Sequence, residues 1–313
     1  MDLYAQQHRN RRVTAALFFG VGLVVVALGA GLTYVFGVTD PFIMVGVGVI
    51  IAAVLMAITW KIADRAVLRS AGAREPNPDV AEEARVTDIV EGVAMAAGIP
   101  APQVFVIDDE SLNAFAVGRS PESGKVAFTT GLLHALQRSE VEAVAAHEVS
   151  HITGRDSLIG VYTAVLLGFA VIAARVMFRG VLFRGMMGGG RGGRGGGGGH
   201  MIMLLIALVV AILAAAAAFV LSRAVSRKRE SRADLSSAAL TNNPQAMIGA
   251  LEKIDKHHSP VDKAHGAASH LWIEEPGERD EDQESFLDRL SRSHPPIEER
   301  IATLREVAGG APE

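Results

Sequence analysis

Four uninterrupted apolar segments constrain what this chain can fold into more than any other feature. They run roughly over residues 13–36, 42–60, 158–178 and 201–221, and none carries a charge in its central part. About 20 apolar residues in helix suffice to cross a bilayer, where each backbone polar group must find its partner within the segment. The expectation is therefore about four transmembrane helices, arranged as two pairs. Burial of such runs inside a soluble core is the alternative, but soluble cores seldom use apolar stretches of this length. The first segment follows Arg9, Arg11 and Arg12, as a signal peptide would. It is too long for a signal h-region and a second segment follows almost at once, so it reads as an uncleaved anchor.

Lys and Arg placement orients the spans. The N-terminal flank is basic, as are the stretches after the second segment (Lys61, Arg65, Arg69, Arg74) and after the fourth (Arg223, Arg227, Lys228, Arg229). All three belong on the cytoplasmic side. The loop between the third and fourth segments opposes this, with Arg179, Arg184, Arg191 and Arg194 and a glycine-rich run over 188–199. Either the rule is broken locally, or these two segments form an apolar hairpin that does not fully cross. The glycine run reads as a flexible linker, since it offers no side chains to a core and lacks the Lys-Ser/Thr ending of a phosphate loop.

Composition narrows the chemistry. Half of the 313 residues are hydrophobic, and the formal net charge is −4 without a basic stripe interleaved with aromatics, which excludes a nucleic-acid partner. There is no cysteine, so disulfides, thiolate ligands and a thiol nucleophile are all excluded. A metal site must be built from histidine and carboxylate.

Two polar regions remain, 64–156 and 223–313. Helical periodicity over 79–97 stops at Gly98 with Pro100 beyond. Short strands are expected at 104–107, 115–117 and 126–129, with a turn region over 118–124. Ser139 and Glu142 suggest a capping box opening a helix over 140–151. Helices are also expected over 223–240 and 297–307.

His147 and His151 lie four apart on that first helix, which puts both imidazoles on one face where one zinc ion can bind both. Glu148 sits beside the first ligand, placed to take a proton from water polarised by the metal. A catalytic zinc needs a third protein ligand. Glu230 is one candidate, in the segment 226–234; its alternative is a solvated carboxylate at a charged helix start. Asp234, one turn on, is placed to accept a hydrogen bond from a ligand histidine and fix its tautomer. If the third and fourth segments both span, the His pair before them and Glu230 after them return to the same membrane face.

At this point the chain resembles the HtpX family of membrane zinc proteases, relatives of the CAAX prenyl protease. The likeness rests on Asn113-Ala114-Phe115-Ala116, on His147 to His151, on Arg229-Glu230 with Ala233-Asp234, and on His294-Pro295-Pro296-Ile297-Glu298-Glu299-Arg300, in this order around the four apolar segments. It covers nearly the whole chain. It implies an α+β fold: a multi-pass helical membrane protein with a mostly helical, zincin-like catalytic domain carrying a small β-sheet. The domain order would be an anchor over 1–63, a first catalytic half over 64–156, a membrane pair over 157–222 and a second catalytic half over 223–313. The resemblance further implies one zinc per chain on His147, His151 and Glu230, with Glu148 as general base and then acid. Asn113 would lie on an edge strand beside the cleft, where substrate backbone pairs by β-addition. His294 and Arg300 would sit near the metal from the C-terminal side, and either could stabilise the oxyanion. The substrates would be misfolded or membrane proteins, within quality control or stress response. The place would be a prokaryotic cell membrane, with the catalytic domain facing the cytoplasm.

Two rival readings stand beside this one: a CAAX prenyl protease, which typically carries more spans, and a membrane scaffold with a structural metal, which would need a fourth protein ligand. His257, His258, His265 and His270 lack helical pairing with a carboxylate and are not counted as ligands. The acidic run over 274–284 and the long glycine loop depart from the family pattern, which bears on lid behaviour and substrate preference.

Overall fold

The structure, a computed structural model, describes residues 40–118, 120–154, 229–257 and 295–309, with the single positions 19, 26, 29, 33, 38 and 273. The third and fourth apolar segments, the glycine-rich run and nearly all of the first segment lie outside the described residues. The chain divides into two units: residues 1–61 with 162–221, and residues 62–161 with 222–313.

In the first unit, helix α1 (Pro41–Ser70) begins. Asp40 caps it, accepting from the N–H groups of Phe42 and Ile43 at 2.8 and 3.1 Å. The second predicted span falls inside α1, and Phe42, Ile43, Val49, Ile50 and Val54 are exposed along it. Among the described residues no helix is long and apolar enough to cross a membrane, so the count of four spans rests on the sequence. Gly29 and Gly48 meet at close range: a Cβ on Gly48 would come within 2.5 Å of the Val26 carbonyl oxygen. Glycine there lets two backbones approach as no larger residue would.

The second unit is built on three strands: β1 (Gln103–Ile107), β2 (Ala114–Val117) and β3 (Lys125–Thr129). Their order is β1-β3-β2, with β1 parallel and β2 antiparallel to β3. β2 is therefore an edge of the sheet. Each strand begins one residue earlier than its apolar run in the sequence, at Gln103, Ala114 and Lys125, because the backbone ladder already pairs there.

Helix α2 (Ala81–Ala97) buries Val86, Ile89, Val90 and Val93, a stripe of helical period. It ends on Gly98, whose φ of 67° is the left-handed cap that glycine adopts without penalty. A short helix α3 (Thr130–Ala135) leads into α4 (Arg138–Gly154). Helix α5 covers 229–241. It is followed by α6 (Pro244–Lys256) and α7 (Ile297–Gly309). One core joins α2, the sheet, α4, α6 and α7 through Val90, Phe128, Val144, Leu251 and Leu304. Roughly 1.5–3 kcal/mol per large side chain so buried favours this arrangement over solvent exposure.

The start of α4 corrects the sequence expectation. Ser139 and Glu142 do not cap it; both lie within the helix. Glu140 does the capping, accepting from the Gln137 N–H at 2.7 Å and from Lys253 Nζ at 2.6 Å. Both starts are compatible with the local sequence, and the lysine on distant α6 binds Glu140 at the earlier one. Helix α6 itself was not expected, although Asn243-Pro244 is a start signal: the Asn243 side chain accepts from the Ala246 N–H.

At the N-terminal side of α2, Arg74 grips Glu83 with two nitrogens at 2.8 Å each and Asp108 at 2.7 Å. The arginine side chain is 38% exposed and the glutamate's 5%. Hydrogen bonding from Arg74 holds the Glu83 carboxyl below its usual range and outweighs its burial. A carboxyl with a lowered folded-state pKa adds stability above the unfolded pKa and loses it as pH falls through the folded one. Glu83→Gln is therefore expected to cost about 1–2 kcal/mol at neutral pH, the low end because Arg74 is solvated. The gap from wild type should close below the ordinary carboxylate range. Thermal unfolding of the full chain across acid pH checks this, and a constant gap would refute it.

Candidate metal centre

Helix α4 carries His147, Glu148 and His151, and its alanines 143, 145 and 146 are fully buried. Small side chains let a neighbouring helix come close, and α5 does so. Ser237 Oγ of α5 donates to the Ala143 carbonyl at 2.6 Å. Glu230, Asp234 and Ser237 follow one another at i, i+4 and i+7, along one face of α5. Ser237 meets α4 one turn before His147, Asp234 meets His147, and Glu230 meets both histidines. The two helices therefore run antiparallel across the site.

The three presumptive ligand groups converge, with a donor atom from each within 4.8 Å of the others. The Nε2 atoms of His147 and His151 stand 3.1 Å apart, with their rings nearly perpendicular at 81°. Glu230 Oε2 is 3.4 Å from His147 Nε2, and Oε1 is 3.4 Å from His151 Nε2. Tetrahedral coordination with bonds of about 2.0–2.2 Å sets donor atoms roughly 3.3–3.5 Å apart. The two imidazole nitrogens, and each Glu230 oxygen with the ring it faces, stand near that spacing, so the residues fit a zinc-sized ion.

The far side of His147 is held as well. Its Nδ1 lies 2.9 Å from Asp234 Oδ1. The approach is off the line of an ideal hydrogen bond, so by angle Nδ1 has no aligned partner. At 2.9 Å between two fully buried groups, the contact is short enough to orient the ring. With a metal bound, an Nδ1–H on Asp234 would leave the Nε2 lone pair for the ion, the tautomer a metal ligand requires.

Electrostatics follow from this packing. Burial pulls the His147 imidazole down, but Asp234 and Glu230 outweigh it and raise its pKa to about 9. The same carboxylates that favour a proton there favour a metal cation. Burial raises the Asp234 carboxyl, yet Arg300 and His147 together hold it well below the usual carboxylate range. Arg300 is pulled down by burial and raised further by Asp234, above the ordinary arginine value.

The structure thus gathers five of the residues read from the sequence: His147, His151, Glu230, Asp234 and Arg300. Glu148 is buried at 2% exposure beside the first ligand. Arg300 does not stand open to the site: Nε and Nη2 donate to Asp234 at 2.9 and 2.7 Å, and Nη1 donates to the Ile273 carbonyl at 3.2 Å. Asn113 is buried just before edge strand β2, with its Oδ1 accepting from the Ala114 N–H at 3.0 Å. β2 packs against α4. His294 lies outside the described residues, as do His258, His265 and His270. His257 closes α6, its N–H donating to the Lys253 and Ile254 carbonyls. Two contributors escaped the sequence reading. Ser237 continues the Glu230–Asp234 face, a spacing that was available; Ile273 acts through its peptide group, which no side-chain pattern reveals.

The chain is similar to known proteins over most of its length. A model of peptidase family M48 matches residues 80–308. A protein named protease HtpX homolog from Thermoanaerobacter pseudethanolicus is 34% identical over 311 residues, covering 97% of this chain and 98% of that one. Proteins of the same name from Streptococcus uberis and Streptococcus agalactiae serotype III are 36% and 38% identical, each covering 97% of this chain and 100% of the relative. Among solved structures, S. mikatae Ste24p aligns over 96% of this chain and 67% of that one, with 18% identity and a TM-score of 0.46. With a family model spanning both halves of the site and relatives this similar over nearly their full length, the chain belongs to peptidase family M48 and is a metallopeptidase.

Proposed function

We propose that this metallopeptidase is a membrane-resident zinc endopeptidase that cleaves misfolded or membrane proteins on the cytoplasmic side of a prokaryotic cell membrane. The observation that carries the chemistry is the triangle of His147 Nε2, His151 Nε2 and a Glu230 carboxylate at 3.1 and 3.4 Å, backed by Asp234 on His147 Nδ1. The four apolar segments and the basic flanks support the membrane placement.

Zinc bound by these three groups would supply Lewis acidity, bringing the pKa of water to about 7 and polarising a peptide carbonyl. Glu148 accepts a proton from water as its oxygen attacks the carbonyl carbon, and returns that proton to the amine as the C–N bond breaks. No acyl-enzyme forms. Asp234 keeps the His147 ring oriented and its tautomer fixed. Edge strand β2 presents backbone to substrate: Asn113 accepts from the Thr129 N–H, so residues 113, 115 and 117 face β3 and Ala114 and Ala116 face outward; the Ala114 carbonyl already accepts from the Ile273 N–H, so pairing with substrate would fall to Ala116. Pairing along that edge selects for extended peptide rather than for particular side chains. A structural metal would call for a fourth protein ligand and no adjacent carboxylate; among the described residues the cluster holds three.

Metal analysis of the purified full-length chain, with casein cleavage, tests this. About one zinc per chain is expected. Chelation should abolish cleavage and zinc should restore it. Cleavage that survives complete metal removal would overturn the proposal.

A further inference from the structure

Arg300 is buried to 2% exposure, on a helix that follows the His-containing helix by well over a hundred residues. All three of its guanidinium nitrogens are engaged. Two form a bidentate pair with Asp234, the geometry in which arginine is strongest and most directional. The third holds the Ile273 carbonyl, and the N–H of the same residue donates to the Ala114 carbonyl at 2.8 Å, on the outward side of β2. An unbroken path of contacts thus runs from edge strand β2 through the Ile273 peptide to Arg300, on to Asp234, and from Asp234 to His147.

We infer that Arg300 is a positioning residue that secures zinc by locking Asp234 against His147, and that it is not the donor that stabilises the reacting carbonyl oxygen. An oxyanion donor must aim an N–H at the substrate. Here every guanidinium nitrogen aims at protein. The bidentate grip fixes both oxygens of Asp234, leaving the carboxylate one orientation toward the His147 ring. The Ile273 contact stops the guanidinium from sliding along that carboxylate and ties it to the strand beside α4. Without Arg300, Asp234 would keep the His147 ring as its partner but lose the bidentate grip that fixes its orientation, and it would be free to rotate. His147 would then lose its fixed tautomer, and zinc would be held less tightly.

This inference rests on the metallopeptidase site proposed above, and the two part company by experiment. Zinc affinity is measured by competition with a chromogenic chelator for wild type, Arg300→Lys, Asp234→Asn and the double variant, all full-length. Casein cleavage is followed from limiting to saturating zinc. Arg300→Lys is expected to weaken zinc about 10–100-fold, the usual cost of disturbing a ligand's outer partner. Its kcat should recover to within a few-fold of wild type at saturating zinc. In the Asp234→Asn background, Arg300→Lys should change zinc affinity little further, because the arginine acts through that carboxylate. Unchanged affinity with kcat lowered about 10²–10³-fold at saturating zinc would mark Arg300 as an oxyanion donor and overturn the inference. Additive losses in the double variant would overturn it too. If Arg300→Lys does not fold, Asp234→Asn carries the decision: zinc affinity equal to wild type would refute the path through Asp234. Failure of wild type itself to bind zinc would overturn the metal site, and this inference with it.

Discussion

Glu148→Gln is expected to lose about 10²–10⁴-fold in peptide cleavage, the range that a positioned acid–base group contributes, while keeping its zinc. The substitution keeps shape and removes charge. Glutamine has the same size as the glutamate it replaces, and the site at residue 148 is buried at 2% exposure, so packing changes little. What disappears is the ability to accept a proton from water and pass it to the leaving amine. The proposed metal donors are His147, His151 and Glu230, and none of them is altered. Zinc content and casein cleavage measured on the same preparation separate the two effects. Cleavage at the wild-type rate would sink the general-base role, and loss of zinc would make Glu148 a ligand instead.

The second large effect is expected of Glu230→Ala. This change removes the one anionic donor of the three and leaves two imidazoles 3.1 Å apart with no carboxylate between them. The loss in zinc affinity should exceed the roughly 10–100-fold that an outer partner costs, and cleavage should fall with it. Because zinc binds the folded chain and not the unfolded one, the zinc-dependent rise in melting temperature should shrink in the same variant. Three readings follow from one preparation: metal content, cleavage, and melting with and without zinc. Zinc content equal to wild type would rule out the third-ligand assignment. Glu230→Asp, which keeps the charge but shortens the reach, is expected to fall between.

How far the site was legible in the sequence depended on how local each relation is. His147 and His151 are one helical turn apart, so a single helix places both rings on one face whatever surrounds it. Glu230 and Asp234 are likewise one turn apart, and Ser237 extends their face. Strands β1, β2 and β3 showed as short continuous apolar runs because such runs and their flanking turn residues are also local. The capping of α4 was misjudged because its selection is not local. Ser139 with Glu142 and Gln137 with Glu140 are both workable starts, and Lys253 on α6 decides between them by binding Glu140.

Arg300 shows the same limit more sharply. Its place in a His-Pro-Pro-Ile-Glu-Glu-Arg segment marks it as part of the site, yet the segment says nothing about where a long, flexible cation points. Burial settles that: a guanidinium removed from water must satisfy its donors on protein, and Asp234 and the Ile273 carbonyl are what the fold offers. Local spacing told which residue types could hold a metal and how they pair within each helix, because cysteine is absent and helical spacing is a property of neighbours along the chain. Packing alone sets α4 and α5 antiparallel with Ser237 on Ala143, brings His147, His151 and Glu230 together, and seats Arg300 on Asp234. Those relations join residues 66 to 94 positions apart, and contacts at that range are set by packing and desolvation rather than by any local pattern.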